Sequence, residues 1–209
     1  MQKRILSIVI ALASLAIGYG QETEDTSSKD DRPIPRFRIG VKVGVPNIVG
    51  GGIEYVTPLF NNRIAPFIDY SSFNVDVDES ENAINFFEIG SNIYFGDKGK
   101  GLYASLSYSR FDAESSIEGA ETINGELFTG FADGEIEIST FNVKLGAKLG
   151  RKFYFRIEAG YGFGDIPKEI VVTGVVNGVA GVGIEEIPDI PGVGDSGLLI
   201  ANIGFGFSF

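Results

Sequence analysis

The chain holds no cysteine and no histidine. Without cysteine there is no disulfide framework to staple a fold, and no residue near the N-terminus for lipid attachment. Without histidine, imidazole-dependent catalysis and most transition-metal sites lose their usual residue. Long apolar runs are also missing. After the first 20 residues no segment approaches the roughly 20 consecutive apolar residues of a spanning helix. Positive charge is scarce, with 17 Lys and Arg against 28 Asp and Glu and a net charge of −11. That balance argues against nucleic acid as a partner.

Glycine and aromatics are plentiful instead: 29 Gly, 17 Phe and 8 Tyr. Placed in alternating runs, they favour strands over helices. Residues 198–209 show the pattern best. Leu199, Ala201, Ile203, Phe205, Phe207 and Phe209 fall on one parity; Asn202, Gly204, Gly206 and Ser208 fall on the other. Period-2 alternation of this kind is a strand with one apolar and one polar face.

The first 20 residues read as a secretory signal peptide: Lys3 and Arg4, an apolar core from Ile5 to Ile17, then Gly18-Tyr19-Gly20. The core is too short for a spanning helix. Its removal would take the net charge from −11 to −13, because Lys3 and Arg4 leave with it. Residues 21–35 are acidic and polar and end in proline. They lack the apolar surface to order themselves and are expected to be a flexible periplasmic lead-in.

Eight strands are predicted across 36–209, at 36–45, 53–60, 64–73, 83–96, 102–111, 136–149, 153–164 and 198–209. Gly50-Gly51-Gly52 is read as part of a loop. A parity slip near Ser139-Thr140 suggests a bulge. The connections alternate between loops and tight turns. The tight turns carry Arg63, Lys98, Lys100, Arg151 and Lys152 against Asp97 alone, whereas the loops at 74–82 and 112–135 carry only acidic charge. This segregation disfavours a soluble two-sheet sandwich and suits an outer-membrane barrel with short periplasmic turns and longer outer loops.

Energetics then orient the strands. A Lys or Arg on the lipid face at mid-depth costs roughly 2–4 kcal/mol. Arg38, Lys42, Lys144, Lys148, Arg156 and Glu158 are therefore expected to face the lumen, where they meet Glu54, Asp69, Glu88 and Glu158. Eight strands enclose about enough room for side chains to fill. The expectation is a lumen plugged by ion pairs, without a water channel; a small passive pore is the alternative.

Together the leader, the eight amphipathic strands, the short turns and the closing G-F-G-F-S-F resemble small outer-membrane β-barrels of the OmpA/OmpX type of Gram-negative bacteria. The resemblance covers 36–209. It implies an eight-stranded antiparallel up-and-down transmembrane β-barrel in the outer membrane, in contact with lipid and lipopolysaccharide. It also implies that Phe205, Phe207 and Phe209 form the signal read by the barrel-assembly machinery, and that no peptidoglycan-binding domain follows. It implies neither activity nor cofactor.

Candidate chemistry is sparse. Gly160-Tyr161-Gly162-Phe163-Gly164 lacks the following helix that a nucleotide-binding loop needs. Asp76, Asp78, Glu79 and Glu81 begin like a calcium loop, but Glu81 replaces the glycine at the sixth position and Phe87 the glutamate at the twelfth. A loose divalent-cation site there is the functional reading; a solvated acidic loop is the plain one. Barrel enzymes generally use a histidine, so no catalytic activity is expected. Within the loop at 165–196, apolar β-prone runs flank Asn177-Gly178, a hairpin signal. That loop is either a projecting hairpin, an edge for a protein partner, or two further wall strands; eight wall strands are preferred to ten.

Overall fold

The computed structural model describes residues 33–77, 80–123, 126–176, 179–187 and 190–209. The expected leader and residues 21–32 of the expected lead-in lie outside the described residues, as do Asp78, Glu79, Asn177 and Gly178.

Alternation decides the fold class. The described chain is all β, in eleven strands: β1 (Phe37–Val45), β2 (Ile48–Tyr55), β3 (Ile64–Val77), β4 (Ser80–Tyr94), β5 (Gly101–Ile123), β6 (Glu126–Gly150), β7 (Phe153–Phe163), β8 (Glu169–Val176), β9 (Val179–Glu186), β10 (Val193–Gly194) and β11 (Gly197–Ser208). Every pairing is antiparallel. Strands β1 to β6 each pair with the next, and β11 lies between β7 and β1. The wall is thus a closed eight-stranded up-and-down barrel, which disposes of the two-layer sandwich. No helix among the described residues is long and apolar enough to cross a membrane, which says nothing about strands.

The stagger that closure demands is visible in the register. Moving sideways from Val45, at the end of β1, leads through Ala201, Ala159, Leu145, Ala104 and Ile93 to Ile64, at the start of β3. A path perpendicular to the strands that joins one strand's end to another's beginning requires steep tilt. Closure is completed by reciprocal bonds from Phe37 N to Phe209 O (3.2 Å) and from Phe209 N to Phe37 O (2.7 Å).

The wall is uneven in height. β3 to β6 run well beyond the level at which β7, β11, β1 and β2 stop, and form a tall half. The predicted acidic loops at 74–82 and 112–135 are largely continuations of these strands. β5 and β6 stay in unbroken register from Gly101↔Lys148 to Ile123↔Glu126. No bulge interrupts that ladder at Ser139-Thr140. Inward and outward residues keep their parity, but above Thr140 the inward positions become Ile138 and Ile136. A change in what faces inward had looked like a change in direction.

The first connection at the tall end also differs from expectation. It is a tight turn at Pro46-Asn47, and Gly50-Gly51-Gly52 belong to β2. Leu59 and Phe60, expected in the second strand, lie instead in the turn before β3. The strand is glycine-rich because it faces crowded neighbours: a Cβ on Gly52 would collide with the Asp69 carboxylate. β8 and β9 form a hairpin that pairs with the upper part of β6, from Gly130 to Gly134, and does not enter the closed wall.

Candidate functional site: a charged plug within the barrel

Strand parity splits the wall into two chemically opposite surfaces. Outward positions are apolar and exposed: Phe37, Ile39, Val41 and Val43 on β1, Phe141, Val143 and Leu145 on β6, and Ile203, Phe205 and Phe207 on β11. Aromatic pairs occur at both edges of this belt, with Tyr108 against Phe141 (ring centroids 5.3 Å apart) and Phe153 against Phe207 (5.5 Å). Phe205, Phe207 and Phe209 all point outward.

The nine charged residues expected inside all lie on the inner surface and are buried: Arg38, Lys42, Glu54, Asp69, Glu88, Lys144, Lys148, Arg156 and Glu158. They form two linked groups. In the lower group, nearer the tight turns, Glu54 holds Arg38 on one carboxylate oxygen and Arg156 on the other, the latter at 2.5 Å. Asn92 donates to Glu54 at 2.5 Å and the Tyr94 hydroxyl at 3.1 Å. Arg38 also donates to the Gly99 carbonyl at 2.5 Å, tying the turn between β4 and β5 across the barrel floor.

In the upper group, Lys42 pairs with Asp69 and lies 3.4 Å from Glu158 and 3.9 Å from Glu88. Lys144 contacts Glu88 at 2.6 Å and Glu158 at 3.7 Å. Glu158 accepts from the Tyr103 hydroxyl at 2.6 Å, and Glu88 from Ser107 at 2.5 Å. Arg156 joins the groups, 3.7 Å from Glu158. Lys148 sits over the Tyr154 ring, 4.6 Å from its centroid. Charges held this deep demand partners and hydrogen bonds, because an uncompensated one would cost several kcal/mol.

Sequence reasoning missed the neutral half of this plug. Tyr94, Tyr103 and Tyr154 are buried inside, with Phe67 beneath Lys42 and Lys144. Their parity matches that of the charges, which was the available signal. The glycines opposite them were the second: a Cβ on Gly146 would meet the Tyr103 ring, and one on Gly40 or Gly206 the Tyr154 hydroxyl. Large side chains fill the lumen because small ones on the facing strands leave room.

A void of about 10 Å³ within the plug is bordered by Lys42, Glu54, Asp69 and Arg156. That is about the volume one water needs. Chemically the arrangement can lock strands together. Every carboxylate in it is engaged by a cation. Of the acidic quartet proposed for a divalent cation, Asp76 and Glu81 are register partners in the β3–β4 ladder. Among the described residues no group of three or more Asp, Glu, His or Cys is placed to hold a metal. No protein-family model matches this chain, and no curated protein or solved structure is significantly similar to it.

Proposed function

We propose that this protein is a non-enzymatic, non-conducting integral barrel of a Gram-negative outer membrane, exported through a cleaved leader and acting through its tall half in the external medium. The observation that carries this reading is the inversion of the usual globular arrangement, with an apolar belt outside and ion pairs inside. Monomeric soluble proteins rarely expose contiguous apolar patches beyond a few hundred Å², and here the belt surrounds the molecule. Aromatic residues at its two edges suit the lipid–water boundaries. Arg110, Asp112 and Glu137 lie just beyond the upper edge on β5 and β6, where Arg110 donates to Asp112 at 2.9 Å and Glu137 at 2.8 Å.

The plug favours a closed lumen over a passive pore. The test is conductance: barrels reconstituted in planar phospholipid bilayers should carry no steady current, and reproducible ohmic steps would refute the closed lumen.

A second reading, a complex-forming subunit, is favoured by β9. Its one strand partner among the described residues is β8, and Val179, Val182 and Ile184 are exposed. An unpaired edge of this type can accept a strand from another protein. Deleting 168–187 should abolish any partner captured by the full chain; an unchanged set of partners would eliminate this role.

A further inference from the structure

Above the plug, the inner surface changes character. Two lateral rows cross the tall half at successive levels. The lower is Ser71, Phe86, Phe111 and Ile138; the upper is Phe73, Ile84, Ala113 and Ile136. Ile170 on β8 continues the same surface, placed 3.8 Å from where a Cβ of Gly134 would stand. Opposite, over the low wall, is Ile48. The upper row, Ile170 and Ile48 line a cavity of about 520 Å³, its apolar residues being Ile48, Phe73, Ile84, Ala113, Ile136 and Ile170. Its floor is blind. Beneath it lie buried Ser109, Thr140 and Asn142, hydrogen-bonded to one another, and then Glu88 with Lys144.

We infer that this cavity binds the hydrocarbon tail of a straight-chain amphiphile whose head group carries no net negative charge. The size falls within the ~300–1,000 Å³ of small-molecule sites, which are mostly apolar with few polar groups. Here the side-chain polar groups without charge are Asn82 and Ser115. The lining is mainly branched aliphatic, with Phe73 its one ring. Recognition therefore rests on shape and desolvation, which suit a saturated chain. Charge selects the head: no Lys or Arg lines the cavity, and Glu114 and Glu135 border it from strand positions whose side chains face outward. A carboxylate head would find no cation to pair with there and would lose its water uncompensated, whereas an alcohol, zwitterion or quaternary ammonium avoids a net negative charge beside these acids. Such a tail comes either from a free amphiphile or from a lipid of the surrounding bilayer. This inference goes beyond the closed-lumen reading, since the cavity lies above the plug and needs no passage through it.

The experiment uses the full mature chain in phosphatidylcholine nanodiscs, with isoleucine methyl groups labelled for NMR. Dodecyltrimethylammonium, dodecanol and dodecanoate are each titrated below their aggregation limits. The first two should give saturable shifts at Ile84, Ile136 and Ile170 and leave outward-facing Ile157 and Ile203 unmoved. Dodecanoate should bind about tenfold more weakly. Replacing Ala113→Trp should fill the cavity and remove the shifts; Ile136→Asn is the second variant should the first not fold. Cross-peaks from Ile136 to protonated lipid chains before any addition would identify the bilayer as the source, and their appearance only with added ligand would identify a free amphiphile. Shifts that never saturate, that survive both substitutions, or that are as strong with dodecanoate would overturn the assignment, as would the absence of shifts and lipid cross-peaks together.

Discussion

Lys144→Met would interrogate the plug directly. The lysine is fully buried and bridges Glu88 at 2.6 Å and Glu158 at 3.7 Å. Methionine keeps most of the volume, so the substitution removes charge rather than packing. Lys42 would then be the one lysine left against Asp69, Glu88 and Glu158, helped only by Arg156, which is shared with Glu54 and lies 3.7 Å from Glu158. Breaking a buried pair from one side costs about 3–5 kcal/mol. Ser107 and Asn142 still donate to Glu88, which places the expected loss near the lower end, about 3 kcal/mol. Adding Glu88→Gln removes the stranded charge, so the double variant should recover about 1–3 kcal/mol of that loss. Reversible urea titrations of barrels folded into lipid vesicles, followed by tyrosine fluorescence and by the gel mobility of the folded band, give both numbers. A single-variant loss under about 1 kcal/mol, or strict additivity in the double variant, would mean that the lumen is wet enough to screen these charges.

Other expectations follow from the same surfaces. Ile203→Arg, at the middle of the belt, should cost about 2–4 kcal/mol in vesicles, whereas Leu149→Arg near the belt's edge should cost about 0–1 kcal/mol; equal costs at the two depths would argue against hydrocarbon around the barrel. Tyr103→Phe deletes the donor to Glu158 and should lose about 1–3 kcal/mol in the same titration, since a buried carboxylate loses a partner. Deleting 168–187 should leave the folded band and its urea midpoint essentially unchanged, because β8 and β9 take no part in closing the wall.

Parity was legible wherever a strand separates two different environments. Along β1, β7 and β11 the sequence alternates Phe, Ile or Val with Gly, Lys, Arg or Glu, and one reading buries no charge against an apolar surface. That made Arg38, Lys42, Arg156 and Glu158 predictable residue by residue. Strand ends were not legible, because the hydrogen-bonded ladder outlasts the alternation. Beyond Phe111 the polar residues lie on both faces of β5, which a pattern search takes for a loop, yet cross-strand bonding to β6 persists to Ile123. Gly50-Gly51-Gly52 misled for a related reason: the requirement they meet, clearance beside Asp69 and Tyr70, comes from β3 and is invisible locally. Ile136 and Ile138 were the most consequential misreading. They keep the inward direction of Thr140, and the parity argument assumed that inward always means polar. Where the plug ends, that assumption fails, and the apolar cavity begins there.

The clasp between Phe37 and Phe209 has a kinetic corollary. These partners are as far apart in the described chain as any pair, so ring formation is the most non-local event in folding and carries the largest loop-closure entropy. Until β11 arrives, β1 and β7 each present a bare margin of amides and carbonyls. A ribosome-stalled or protease-clipped fragment lacking β11 would therefore be an open ribbon with two sticky borders, prone to zip onto its siblings, and the intact circle is what takes both of those borders out of play.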